Sequence, residues 1–179
     1  PSMDILVSSN LERLLYKLSG DDDNTTRDWM TKLKTEGKYE VTPEVKEAIN
    51  NAFYGGYCDD DETKSTIAKL FKDEGYLCDT HTAVAVAVYD KYVSETGDKT
   101  PTIIASTASP YKFSKSVLSA IDDSKLDMSE FDMVDKLNSV TGVEVPKPLS
   151  SLKDKKSRLS DVVKSEDMPE YVLKTLGVK

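Results

Sequence analysis

Leu11, Leu14, Leu15 and Leu18 recur at helical spacing between a Ser9–Glu12 capping box and Gly20, which predicts a first helix with one buried face. After the acidic turn Asp21-Asp22-Asp23, Trp29 and Leu33 share one face of a second helix from Thr25 to Thr35, closed near Gly37. Thr42 as N-cap, with Pro43 at the first helical position, begins a third helix that runs to Ala52. The pattern then changes. Phe53-Tyr54-Gly55-Gly56-Tyr57-Cys58 is aromatic and glycine-rich, a short strand or extended turn. The acidic cluster Asp59-Asp60-Asp61-Glu62 suits a helix N-terminus, and Ile67, Leu70 and Phe71 supply that helix's apolar face before Gly75. Leu77-Cys78 is a brief extended link. Asp79 or Thr80 then caps a helix whose body, Ala83 to Val93, is small and apolar on nearly every side and is predicted to be buried.

Thr102-Ile103-Ile104-Ala105-Ser106, introduced by Pro101, is the clearest strand, and Ser109-Pro110 opens a helix bearing Phe113, Val117 and Ile121 at four-residue spacing. A further helix is predicted from Ser129 to Ser139. The stretch Val143 to Ser151, with Pro146 and Pro148, reads as an extended tether, the lysine- and serine-rich stretch from Ser150 to Ser165 as partly mobile, and Met168 to Gly177 as a last helix. Alternating short strands and helices predict an α/β fold, a short, mainly parallel sheet flanked by helices. Three segments follow: a helical segment 1–52, an α/β portion 53–125 and a C-terminal helical extension 126–179.

Composition narrows the class. The 179 residues suffice for one sizeable core, but 38% hydrophobic content lies below the globular norm of roughly 45–50%, which fits a piece completed by a partner. The start at Pro1, without an initiator methionine, suggests truncation or processing. A net charge of -8 supplies no positive field for a nucleic-acid backbone and argues against that class of partner. No run approaches the roughly 20 apolar residues of a membrane span, and no signal peptide is visible, so the expected location is the cytoplasm. Cys58, Cys78 and the single histidine, His81, are too few soft ligands for a tetrahedral zinc site. A Cys78–His81 nucleophilic pair would need an electropositive setting, and a buried, reduced thiol is the better reading of each cysteine.

Chemistry concentrates at two places. Ser106 and Thr107 end the predicted strand, where open α/β sheets gather ligands, and Ser109-Pro110 opens a helix with unpaired backbone N–H groups. The same residues also fit a purely local role, with Ser109 as a cap and the other two hydroxyls satisfying nearby backbone. His81, in the first turn of its helix, is held neutral by the positive helix end and can donate or accept, or it is a core histidine under the Ala-Val helix. The Asp59–Glu62 cluster matches a helix entry and offers no defined cage for magnesium. Gly55-Gly56 lacks the lysine of a phosphate-binding loop.

The run Ser106-Thr107-Ala108-Ser109-Pro110-Tyr111-Lys112-Phe113 resembles the Thr-Ala-His-Pro-Ala-Lys-Phe motif of threonine synthases, which also follows an apolar strand and opens a helix. Further blocks agree in order: Ser2-Met3-Asp4-Ile5 with Asn10-Leu11-Glu12-Arg13, then Asp60-Asp61-Glu62-Thr63, then Asp79-Thr80-His81-Thr82-Ala83-Val84-Ala85, similar to an acidic-Pro-His-Thr-Ala-Val-Ala pattern. They cover most of Pro1 to Ile121, and the match is loose from Asp122 onward. The resemblance implies part of a fold-type-II pyridoxal-phosphate enzyme, cytoplasmic, that converts O-phosphohomoserine and water into threonine and phosphate. It implies that Thr107 meets the pyridine nitrogen with a neutral hydroxyl, with Ser106 the adjacent alternative, and that His81, Thr82 and Lys112 lie in the vicinity of the active site. Ser109, Tyr111 and Thr80 depart from the motif's histidine, alanine and proline.

In the family, the Schiff-base lysine and the glycine-rich phosphate cradle precede the Ser2–Ile5 block, so the resemblance implies a missing N-terminal portion as partner. It also implies a chain that alone binds no pyridoxal phosphate tightly and makes no threonine. No flanking pattern marks Lys64 or Lys112 as the family's nucleophile. The rival expectation is a non-enzymatic acidic α/β interaction module built on the same scaffold.

Overall fold

The computed structural model describes residues 7–122, 126–156 and 160–178, so the Ser2–Ile5 block lies outside the described residues, as does part of the 150–165 stretch. Side-chain caps set most of the helix starts. Ser8, Asp22, Thr42, Asp59, Asp79 and Ser129 each place an oxygen on a backbone N–H two or three residues ahead. Each cap stabilises its helix by ~1 kcal/mol. They begin α1 (Ser9–Leu18), α2 (Asp23–Glu36), α3 (Pro43–Ala52), α4 (Asp60–Glu74), α5 (Thr80–Thr96) and, after the uncapped α6 (Ser114–Ile121), α7 (Glu130–Thr141). The first cap is Ser8 rather than Ser9, one residue before the expected box. α4 stops at Gly75, whose φ of 67° is the left-handed conformation that glycine adopts without a Cβ penalty.

The chain divides into two compact units, residues 1–143 and 144–179. In the first, α1, α2 and α3 close over Leu15, Trp29 and Val45, with the Tyr39 ring stacked 6.5 Å from that of Trp29. α4 packs on α5 and α6, and α6 on α7, which buries Ile67, Ala83, Val117, Leu118 and Leu137. The second unit holds α8 (Lys147–Ser150), a single 3-10 turn at Ser165–Asp167 and α9 (Met168–Thr175), and none of these elements has a buried residue. α8 lies inside the stretch expected to be extended, because proline is compatible with the first turn of a helix.

The predicted short parallel sheet is absent: among the described residues no strand forms, and the architecture is helical. A strand is a pairwise state, and β-branched composition stabilises it only against a neighbouring pleated surface. Ile103 is instead 96% exposed, and residues 103–107 make no backbone–backbone hydrogen bond among the described residues. Phe53–Cys58 is equally without a ladder. The helix bearing Phe113 also starts differently from the expectation, as a 3-10 turn at Pro110–Phe113 that leads into α6.

α5 is a second correction. Thr82, Ala83 and Ala87 are buried, but Ala85 is exposed and Val84, Val86 and Val88 are only half-buried. Its other flank, with Ala85, Val88, Tyr89 and Tyr92, lines an open trough of about 680 Å³ whose rims are Phe53 and Tyr54 on one side and residues 102–105 on the other. The Phe53–Cys58 segment is fastened to α5 by Lys91, whose Nζ lies 2.7 Å from the Tyr57 carbonyl and 2.8 Å from Glu62 Oε2. Contact is closest at Gly56, where an added Cβ would stand 2.7 Å from Val88 Cγ1. Gly56→Ala is therefore expected to lower stability by about 1–3 kcal/mol in urea unfolding. Gly55→Ala, which meets nothing within 4 Å, should leave the midpoint nearly unchanged.

Candidate functional site

The N-terminus of α5 gathers most of the candidate residues around one buried carboxylate. Asp79 is fully buried. Its Oδ1 accepts the His81 backbone N–H at 2.8 Å and lies 3.0 Å from His81 Nδ1, while Oδ2 accepts the Thr82 hydroxyl at 2.5 Å. Burial alone would raise its pKa, but the hydrogen bonds from Thr82 and His81 outweigh that and hold the carboxyl below its ordinary value. Asp79 is thus an anion across the neutral range.

Thr82 Oγ1 also lies 3.0 Å from Ser106 Oγ, across 24 residues of sequence. A threonine hydroxyl has one proton, and an ionised carboxylate only accepts, so Thr82 donates to Asp79 and receives from Ser106. The Ser106 proton points inward. Thr107, the next residue, is exposed, as Ser106 is, but its hydroxyl has no hydrogen bond among the described residues. The two neighbouring hydroxyls, interchangeable on sequence grounds, are therefore different in the fold.

The His81 ring tilts against Phe113 with centroids 4.9 Å apart, and Lys112 Nζ stands 5.5 Å from the centroid of the same ring. Lys112 is exposed, as is Lys64 on α4. Ser109 accepts the Tyr111 N–H at 3.3 Å, a local cap. Tyr111 is buried, and its hydroxyl donates to the Val143 carbonyl, which also accepts from Asn138 Nδ2 at 2.6 Å. Two of the three departures from the family motif, Ser109 and Tyr111, thus have a structural role in this chain. Cys78 is buried, and that burial, with the Asp79 charge adding to it, pushes its thiol up to about 11. It is protonated at neutral pH and unsuited to nucleophilic attack.

Sequence reasoning missed the centre of this arrangement. Asp79 was read as a cap only. The Asp-x-His-Thr spacing was the available signal, since an N-cap side chain reaches the groups two and three residues on, but the tie to Ser106 is long-range and left no trace in the pattern.

The family described as "Threonine synthase, C-terminal" matches residues 82–172. The chain is 36% identical to threonine synthase of Saccharomyces cerevisiae over an aligned length of 135, a match that covers 68% of this chain and 26% of that protein. It is 32% identical to threonine synthase-like 1 of Homo sapiens, over 68% of this chain and 16% of that one. Among solved structures, pyridoxal-phosphate-bound threonine synthase from Brucella melitensis superposes with a TM-score of 0.73 at 31% identity, covering 96% of this chain and 33% of that chain. The yeast threonine synthase structure gives a TM-score of 0.77 at 27% identity, over 100% of this chain and 36% of that one. The fold of the chain is thus that of part of a pyridoxal-phosphate enzyme family. The chain belongs to the threonine synthases and corresponds to their C-terminal portion. It spans about a quarter of the yeast protein's length. Among the described residues, no helix is long and apolar enough to cross a membrane.

Proposed function

We propose that this chain forms one wall of the pyridoxal-phosphate site of a threonine synthase that acts on O-phosphohomoserine, and that it is inactive until the remainder of the enzyme joins it. The observation that carries the reading is the contrast at the end of the 102–106 segment, where Ser106 is committed inward and Thr107 presents an uncommitted hydroxyl. That hydroxyl fits a cofactor's ring nitrogen: it is neutral, exposed and able to donate. When bound, pyridoxal phosphate supplies an electron sink that lets phosphate leave from Cγ and water add at Cβ. Thr107 would hold the ring nitrogen without protonating it, and His81 and Thr82, fixed by Asp79, would stand beside it at the helix N-terminus. Phe113 would shield the face of His81 from water.

The apolar trough along α5 supports the other half of the proposal. Ala85, Val88 and Tyr92 face an opening bordered by two unladdered segments, a surface suited to receiving strands from the rest of the protein.

Replacing the matching C-terminal part of the yeast threonine synthase by this chain tests both points. The chimera is expected to release phosphate from O-phosphohomoserine and to form threonine, and the isolated chain to do neither. Turnover by the chain alone, or a folded, cofactor-loaded chimera without turnover, would overturn the reading.

A further inference from the structure

Asp79 does more than begin a helix. A serine or asparagine would cap α5 equally well, and neither would explain why a fully buried carboxylate faces both an imidazole nitrogen and a hydroxyl that reaches a separate segment. The two oxygens divide the work. Oδ1 sits 3.0 Å from His81 Nδ1, and an ionised carboxylate can only accept, so the ring proton belongs on Nδ1 and Nε2 is the basic nitrogen. Oδ2 takes the Thr82 proton, which turns Thr82 into an acceptor for Ser106 and directs the Ser106 proton at the buried Thr82.

The geometry points to Asp79 as a positioning residue for the site. It selects the Nδ1–H form of His81, and through Thr82 it sets the direction of the Ser106 hydroxyl, leaving Thr107 as the donor at the end of the 102–107 segment. Its value to the proposed enzyme rests on the cofactor-wall reading given above, but its effect on His81 exists in the chain alone. The two can therefore fail separately.

The chain contains one histidine, so its imidazole signals need no assignment. Long-range 1H–15N correlation on uniformly labelled chain at about pH 9, well above the ordinary imidazole pKa of ~6.5, reads the tautomer directly. Wild type is expected to show predominantly the Nδ1–H form. Asp79→Ser retains a capping hydroxyl but loses the carboxylate, and in it the ring is expected to move to mostly the Nε2–H form, with helical circular dichroism preserved. A wild-type ring that is mostly Nε2–H overturns the assignment whatever the variants do. So does an Asp79→Ser ring that keeps the wild-type pattern. Should Asp79→Ser fail to fold, the wild-type spectrum still decides. A purely capping role for Asp79 would leave the tautomer where free histidine has it.

Discussion

Thr107→Ala is expected to lower kcat of the yeast chimera by roughly 5- to 150-fold, the ~1–3 kcal/mol cost of leaving the enclosed ring nitrogen without its donor. Ser106→Ala should lower it by less than about tenfold, because its proton is already spent on Thr82 and its removal costs an ordinary hydrogen bond of ~1 kcal/mol. The ordering matters more than either figure. On sequence alone the two hydroxyls are neighbours at the end of one apolar run. In the fold, one belongs to a chain of donors that ends at a buried anion and the other does not. Equal losses in the two variants would remove Thr107 from the ring-nitrogen position and return both residues to local backbone roles.

Asp79→Asn is expected to destabilise the isolated chain by about 1–3 kcal/mol at neutral pH and by progressively less in acid. Asparagine still caps α5, so the difference isolates the charge. The folded pKa of Asp79 is depressed. Its contribution is therefore fully present above the unfolded carboxylate value of ~3.9 and is lost as pH falls below that, toward the folded value. Urea midpoints of wild type and variant, compared from neutral pH down to about pH 3, should converge in acid. A gap that stays constant across that range would mean that the carboxylate's ionisation does not contribute.

The helices were legible where their boundaries are local. Thr42-Pro43, the Asp59–Glu62 cluster, Asp79 or Thr80, and Ser129 mark starts by residue type, and Thr42, Asp59, Asp79 and Ser129 each cap through their own side chains. α2 begins earlier than its apolar face suggested, because Asp22, inside the acidic turn, is the residue that caps it. The sheet was misread for the opposite reason. Thr102–Ser106 has the composition of a strand, but pairing depends on a second stretch of backbone, which the composition of five residues cannot supply. The interior of α5 was overestimated likewise: its small apolar residues fit burial on both sides, and only one side is covered within the described residues. At the candidate site, His81, Thr82, Ser106 and Thr107 were visible as residue types with a family precedent. The hydrogen bond that sorts them runs between positions 82 and 106 and exists only once α5 and the following segment are brought together.

The two unladdered segments beside the trough have a consequence for handling the protein. Unpaired backbone next to aromatic side chains is a template for adding foreign strands, a route to aggregation. Tyr57 is 84% exposed and Ile103 96% exposed, so each segment offers an apolar lure together with its free hydrogen-bonding groups. Asp98, Lys99 and Pro101 stand at the entrance to one of them, charges and a missing donor that act as gatekeepers. Phe53–Cys58 is guarded at its other end, where Asp59, Asp60 and Asp61 follow it directly. Colloidal behaviour in concentrated solution should therefore depend on these flanking charges, and neutralising Asp59–Asp61 or Asp98 is expected to lower solubility.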